Sequence, residues 1–139
     1  MADAIQKKLQ CVIVTPETTV LDQPVDFVAV PLYDGELGVL PGRSPVVARL
    51  GYGELRATTG STTSRYFIDG GFLQVRGDVV SVLTSRAVAA ERVDPASARA
   101  DLQKANEQVP TTPDGFEAKI ISLSRARGQL EVARRAGKG

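Results

Sequence analysis

The sequence has no histidine and no tryptophan, and only one cysteine among its 139 residues. Without histidine the chain lacks the usual general base, the usual metal ligand and every histidine-dependent nucleophilic triad. One cysteine and no histidine also leave too few ligands for a zinc site. No Gly-x-x-x-x-Gly-Lys-Ser/Thr run occurs, which excludes a P-loop. Carboxylates remain, but no pair of them stands in an apolar setting, so the chain is not expected to be an enzyme by itself. Cys11 cannot form an internal disulfide, fits a reducing compartment, and reads most simply as a small buried strand residue. No segment reaches the roughly 18–20 apolar residues a membrane span needs. Met1 to Gln10 lacks a long apolar run, so no signal peptide is expected, and any membrane association should come through a partner. The formal charge of +1 suggests neither disorder nor nucleic-acid binding.

What is present falls into two parts. Over the first ninety residues, short apolar or alternating runs are separated by turn signals. Leu9–Val14, Val25–Val30, Glu36–Leu40 and Val46–Leu50 read as strands. Gly51-Tyr52-Gly53 reads as a break, and Glu54–Thr58 alternates as a half-buried antiparallel strand should. Gly60–Ser64 is a polar hairpin tip, and Asp69-Gly70-Gly71 and Arg76-Gly77-Asp78 read as tight turns bounding Arg65–Ile68, Phe72–Val75 and Val79–Thr84. With no helical period between these strands, an antiparallel sandwich or barrel is expected and a βαβ arrangement is disfavoured.

After Arg86 the period changes. Asp94 and Pro95 are an N-cap and a first helical residue, followed by Ala98, Leu102, Ala105 and Val109 as one apolar stripe. Pro110 to Gly115 turns the chain, and Asp114 is the expected N-cap of a second helix. Its stripe is Phe116, Ile120, Leu123, Ala126, Leu130 and Ala133. Two helices of similar length joined this way form an antiparallel hairpin. Their alanine-rich seam, at roughly 25 cal/mol per Å², supplies only a few kcal/mol, so the hairpin should undock more readily than the sandwich unfolds. Lys119, Arg125, Arg127, Arg134, Arg135 and Lys138 make the second helix basic. They fit a solvated face with favourable charge at a helix C-terminus, or a face that meets an acidic partner or a phosphate.

The densest punctuation lies in Asp34–Pro45, which presents Glu36 and Leu37 between two glycines and Arg43 behind a third. Gly35-Glu36-Leu37-Gly38 has the form of a Gly-x-x-Gly nucleic-acid loop, but it lies between strands and Glu36 would repel phosphate. Gly35–Pro45, then Gly53-Glu54-Leu55-Arg56, then Asp69–Val75 closely resemble the epsilon-subunit family of bacterial F-type ATP synthases. Val79–Thr84 and Ala90–Asp94 resemble it as well, so the likeness spans nearly the whole chain.

The resemblance implies an N-terminal β-sandwich over residues 1–90 that binds the gamma subunit and the c-ring, and a regulatory C-terminal helical hairpin over 91–139. It implies a non-catalytic central-stalk subunit of a proton-translocating synthase, peripheral on the cytoplasmic side of the cell inner membrane. The hairpin is implied to reach the alpha/beta catalytic hexamer and to inhibit ATP hydrolysis there. By motif, Glu36, Leu37, Gly42 and Arg43 fall at the c-ring interface. Arg43 stands where many members have histidine, which keeps a donor but makes the charge permanent. Some members bind ATP in the hairpin through Ile/Leu-Asp-x-x-Arg-Ala. Here Val93-Asp94-Pro95-Ala96-Ser97-Ala98 has serine at the arginine position, and Gln129 stands at one of two basic positions on the second helix. Serine cannot supply the guanidinium fork, so no cofactor is expected. Asp94 and Arg125 are the candidates for a nucleotide or an acidic partner. Read without the resemblance, the chain is a generic β-sandwich protein-binding module with a helical hairpin.

Overall fold

A computed structural model describes residues 7–137; Lys138, counted above with the basic second helix, lies outside them. The strands are β1 (Leu9–Val14), β2 (Thr19–Val25), β3 (Phe27–Leu32), β4 (Gly35–Val39), β5 (Val46–Thr59), β6 (Thr62–Arg76), β7 (Val79–Leu83) and β8 (Ala87–Ala89). A 3-10 turn at Ala90–Arg92 leads to α1 (Pro95–Glu107) and α2 (Pro113–Arg135). The sheet order is β2-β1-β7-β6-β5-β3-β4, with β8 paired to β6. All neighbours are antiparallel except β1 and β7. The sheet folds over one main core that includes Leu9, Ile13, Val28, Leu55, Ile68, Leu73 and Val82. The sandwich followed by two helices is the architecture expected from the sequence.

The strand boundaries differ from the sequence reading in instructive ways. Val25–Val30 is not one strand but the junction of β2 and β3. Asp26 breaks it: its carboxylate accepts from Lys8 at 2.7 Å and from the Gly60 N–H at 2.7 Å, which turns the chain toward the β5–β6 hairpin tip. These bonds hold the Asp26 carboxyl below the usual range.

Gly51-Tyr52-Gly53 and Asp69-Gly70-Gly71 are not turns. They lie inside β5 and β6, which pair from Val46↔Val75 to Thr59↔Thr62 with a single gap at Gly51 and Gly70. Gly71 is glycine for a crossing contact. It has φ +110°, and a Cβ there would sit 1.9 Å from the Leu83 carbonyl oxygen. Only a residue without Cβ lets β6 pass β7 at that distance. β8 was not anticipated, because three residues with two alanines carry almost no strand signal.

Asp94 caps α1 as expected, its Oδ1 accepting from the Ala96 N–H at 3.1 Å. The cap of α2 is Thr112 rather than Asp114. Thr112 Oγ1 accepts from the Gly115 N–H at 3.1 Å, and Pro113 takes the first helical position, where no N–H is needed. The helices are unequal, with 13 and 23 residues. The α2 stripe is also revised: Phe116 and Ile120 are exposed, and the buried positions are Ala126, Gln129, Val132 and Ala133. The second half of α2 packs on the sandwich as well as on α1, so its inner face is set by two partners rather than by the helix pair alone. Val109 lies beyond α1 and is exposed.

Candidate functional site

Three surfaces carry the features that matter. The first is the glycine-rich edge. Glu36 is exposed on β4, and its carboxylate accepts from Arg56 Nη1 at 3.1 Å and Nη2 at 3.4 Å. Leu37 alternates inward and packs against the main core. Gly42 opens the following loop with φ +86°, and its N–H donates to Asp78 Oδ1 at 2.8 Å. That bond ties the loop carrying exposed Arg43 to the β6–β7 turn. The four residues thus follow one edge, but Glu36 is engaged toward α2 while Gly42 and Arg43 belong to the tied loop.

The second surface is the bed on which α2 lies. Tyr52 and Glu54 of β5 pair with Asp69 and Phe67 of β6, so these side chains share one face. Phe67, Ala90, Val93, Val132 and Ala133 form a small apolar cluster there. The helix comes very close: a Cβ on Gly128 would lie 2.4 Å from the Tyr52 carbonyl oxygen. Two ion pairs fasten it. Arg125 Nε donates to Asp69 Oδ1 at 2.9 Å, and its guanidinium lies 5.7 Å from the Tyr52 ring centre. Arg135 Nη1 donates to Glu54 Oε1 at 3.2 Å.

Glu54 is the unusual member. Its side chain is 4% exposed and also accepts from Arg65 at 3.1 Å. Oε2 is buried and makes no hydrogen bond among the described residues. A buried carboxylate is tolerable only with such partners, because its desolvation is costly. Glu131 accepts from Arg134 and Arg135, which hold its carboxyl down at about 2, so it stays ionised at any physiological pH. Burial, with a smaller contribution from the Asp22 charge, pushes the Cys11 thiol up to about 12, as an inert core residue requires.

The structure brings Asp94 and Arg125 into one open cleft of about 370 Å³, together with Arg86, Arg92, Ser97 and Gln129. Asp94 is occupied with its own helix and Arg125 with Asp69.

The third surface was not found from the sequence. Arg49, Phe72, Leu83 and Val14 stand side by side across β5, β6, β7 and β1, and Val47, Ser81 and Val79 flank them on the same outer face. Val47, Phe72 and Leu83 are 75%, 60% and 49% exposed. A signal was available. Val46-Val47, Phe72-Leu73 and Val79-Val80 are apolar at both strand parities, which means that both faces of the sheet are to be covered. Gln74 lies between Val47 and Ser81, and an exposed apolar patch of this kind, edged by Arg49 and Gln74, marks a contact surface.

Fold and surfaces together define a protein-contact module: a β-sandwich with one uncovered apolar face, carrying a helical arm fastened by a few ion pairs. Comparison with known proteins agrees. Residues 8–90 match the family described as ATP synthase, Delta/Epsilon chain, beta-sandwich domain. The ATP synthase epsilon chain of Rhodopirellula baltica is 50% identical over 126 residues, covering 91% of this chain and 98% of the relative. The ATP synthase epsilon chain of Carboxydothermus hydrogenoformans is 39% identical over 102 residues, covering 73% and 76%. Among solved structures, a chain of the Euglena gracilis mitochondrial ATP synthase, OSCP/F1/c-ring, superposes with TM-score 0.79 at 28% identity, covering 91% of this chain and 81% of that one. A chain from the Tetrahymena thermophila central stalk and c-ring shares the fold, with TM-score 0.69 at 17% identity. The chain belongs to the ATP synthase delta/epsilon family, and these curated relatives are epsilon chains.

Proposed function

We propose that the chain is the non-catalytic epsilon subunit of the central stalk of a bacterial F-type ATP synthase. It holds the gamma subunit to the c-ring so that rotation of the ring and catalysis stay coupled. The observation that carries this reading is the exposed apolar patch of Val47, Phe72 and Leu83 on neighbouring strands, a face that a chain working alone would have no reason to leave apolar. Gamma is the partner for this face. Glu36 and the Gly42–Arg43 loop meet the ring, and Leu37 supports that edge from inside. The protein is peripheral, on the cytoplasmic side of the inner membrane. No described helix is long and apolar enough to cross a membrane.

The hairpin is regulatory in this reading. Among the described residues it is held to the sandwich chiefly by one small apolar cluster, the close Gly128–Tyr52 crossing and two ion pairs, few enough to be exchanged for contacts on the catalytic hexamer. In this reading the fastening needs no nucleotide, which the pairing of Arg125 with Asp69 and the absence of a guanidinium at Ser97 support.

Reconstituting the synthase with the full chain, without it, and with residues 91–139 deleted tests both roles. The full chain restores ATP-driven proton pumping. The shortened chain does so too, with hydrolysis raised several-fold. If the full chain left pumping unrestored, the coupling role would be lost. If hydrolysis were unchanged by the deletion, the inhibitory role would be lost.

A further inference from the structure

Charged side chains of alternating sign run from the glycine-rich edge to the end of the hairpin. Arg56 is the shared member. Its Nη1 lies 3.1 Å from Glu36 Oε2 and 3.5 Å from Glu54 Oε1. Glu54 Oε1 in turn accepts from Arg135 at 3.2 Å, and Arg135 Nε donates to Glu131 at 3.0 Å. One guanidinium therefore serves both an exposed carboxylate on the sheet edge and the buried carboxylate that holds the hairpin.

We propose that Arg56 couples Glu36 to hairpin docking: a partner group that takes Glu36 releases Arg56 to Glu54, and the hairpin is loosened. The physical step is a competition. Glu54 is buried with Oε2 unpaired, so it has unmet demand for a donor. While Glu36 holds Arg56 in a two-donor pair, Arg56 stays 3.5 Å from Glu54, and the hydrogen bonds to Glu54 come from Arg65 and Arg135. When a cationic or hydrogen-bond-donating partner group occupies Glu36, Arg56 swings the short distance to Glu54. The second guanidinium charge brought up to Glu54 weakens its hold on Arg135, and Glu131 gives Arg135 somewhere to stay as α2 leaves. The coupling is reciprocal by thermodynamic necessity, so a docked hairpin weakens partner binding at Glu36 by the same factor.

The inference rests on the proposed contact of Glu36 with the ring only for the identity of the partner group. The coupling itself lies within the chain. Its test is a double-mutant cycle in the isolated full-length protein, read by native-state hydrogen exchange of the α2 amides between Ala126 and Ala133. Glu36→Gln frees Arg56 without a partner. It should speed α2 exchange about 2- to 5-fold, the size of effect of a partly exposed ion pair. In an Arg56→Gln background the same change should have no effect, since the shared guanidinium is gone. An equal acceleration in both backgrounds, or none in the wild type, overturns the proposal. Exchange of the β5 and β6 amides reports whether either variant disturbs the sandwich, and the α2 rates are compared relative to it. Binding of Glu36→Gln to the detergent-solubilised ring is measured separately. Loss of ring contact alone would revise the partner while leaving the cycle standing.

Discussion

Replacing Gly128 by alanine releases the hairpin from the sandwich, although alanine is the better helix former. Helix propensity alone favours alanine by about 1 kcal/mol. The crossing contact opposes this with more. The added Cβ would lie 2.4 Å from the Tyr52 carbonyl oxygen and 3.2 Å from the Phe67 ring, and backbone cannot yield as a flexible side chain does. Overpacking of this kind costs about 1–3 kcal/mol. The helix relieves it by lifting away, which uncovers Val132 and Ala133 and stretches the Arg125–Asp69 and Arg135–Glu54 pairs. Trypsin cleavage at Lys119 and Arg134 should therefore accelerate on the order of tenfold, while the β-sheet circular dichroism stays native. Slower cleavage would mean that propensity wins and that the helix does not press on β5. If the proposed inhibitory role holds, the same variant should lower ATP hydrolysis by the reconstituted synthase.

Aspartate at both Val47 and Phe72 should abolish binding to gamma while leaving the fold intact. Both side chains point outward from the sheet, so their loss opens no cavity in the main core. Phe72 has the area and rigidity of an interface anchor, and two charges buried without partners add a desolvation penalty. Affinity for gamma is expected to fall on the order of 100-fold or more. Thermal stability should change little, as is usual for surface substitutions. A large drop in melting temperature with unchanged affinity would move the contact to another face.

Much of the fold was legible because binary patterning matches the strand period. Glu54–Thr58 alternates, and its apolar residues Leu55 and Ala57 are indeed buried while Arg56 and Thr58 are not. The same logic failed where a residue's role is set by what lands on it from afar. Glycine marks a turn and a close crossing with the same letter. Only the carbonyl of Leu83 beside Gly71 tells them apart. Glu54 reads as the polar position of an alternating strand, and it is buried because α2 covers it. The Asp69–Arg125 and Glu54–Arg135 pairs join residues 56 and 81 positions apart, beyond any local pattern. Phe116 and Ile120 were assigned inward by helical period, but the fully buried positions of α2 all lie in its second half, and Ile120 only lines an open cleft beside Tyr33 and Tyr52. The glycine-rich edge was the strongest signal in the sequence. Its prolines and glycines shape an edge, and the structure adds that Glu36 on that edge is wired inward to the hairpin through Arg56.

The most direct measurement is the association of the full-length chain with purified gamma subunit and with the detergent-solubilised c-ring. The expected result is a stable ternary complex, with gamma binding lost in the Val47→Asp, Phe72→Asp double variant and ring binding weakened by Glu36→Lys. A folded chain with no affinity for gamma would contradict the assignment of the apolar face and, with it, the coupling role.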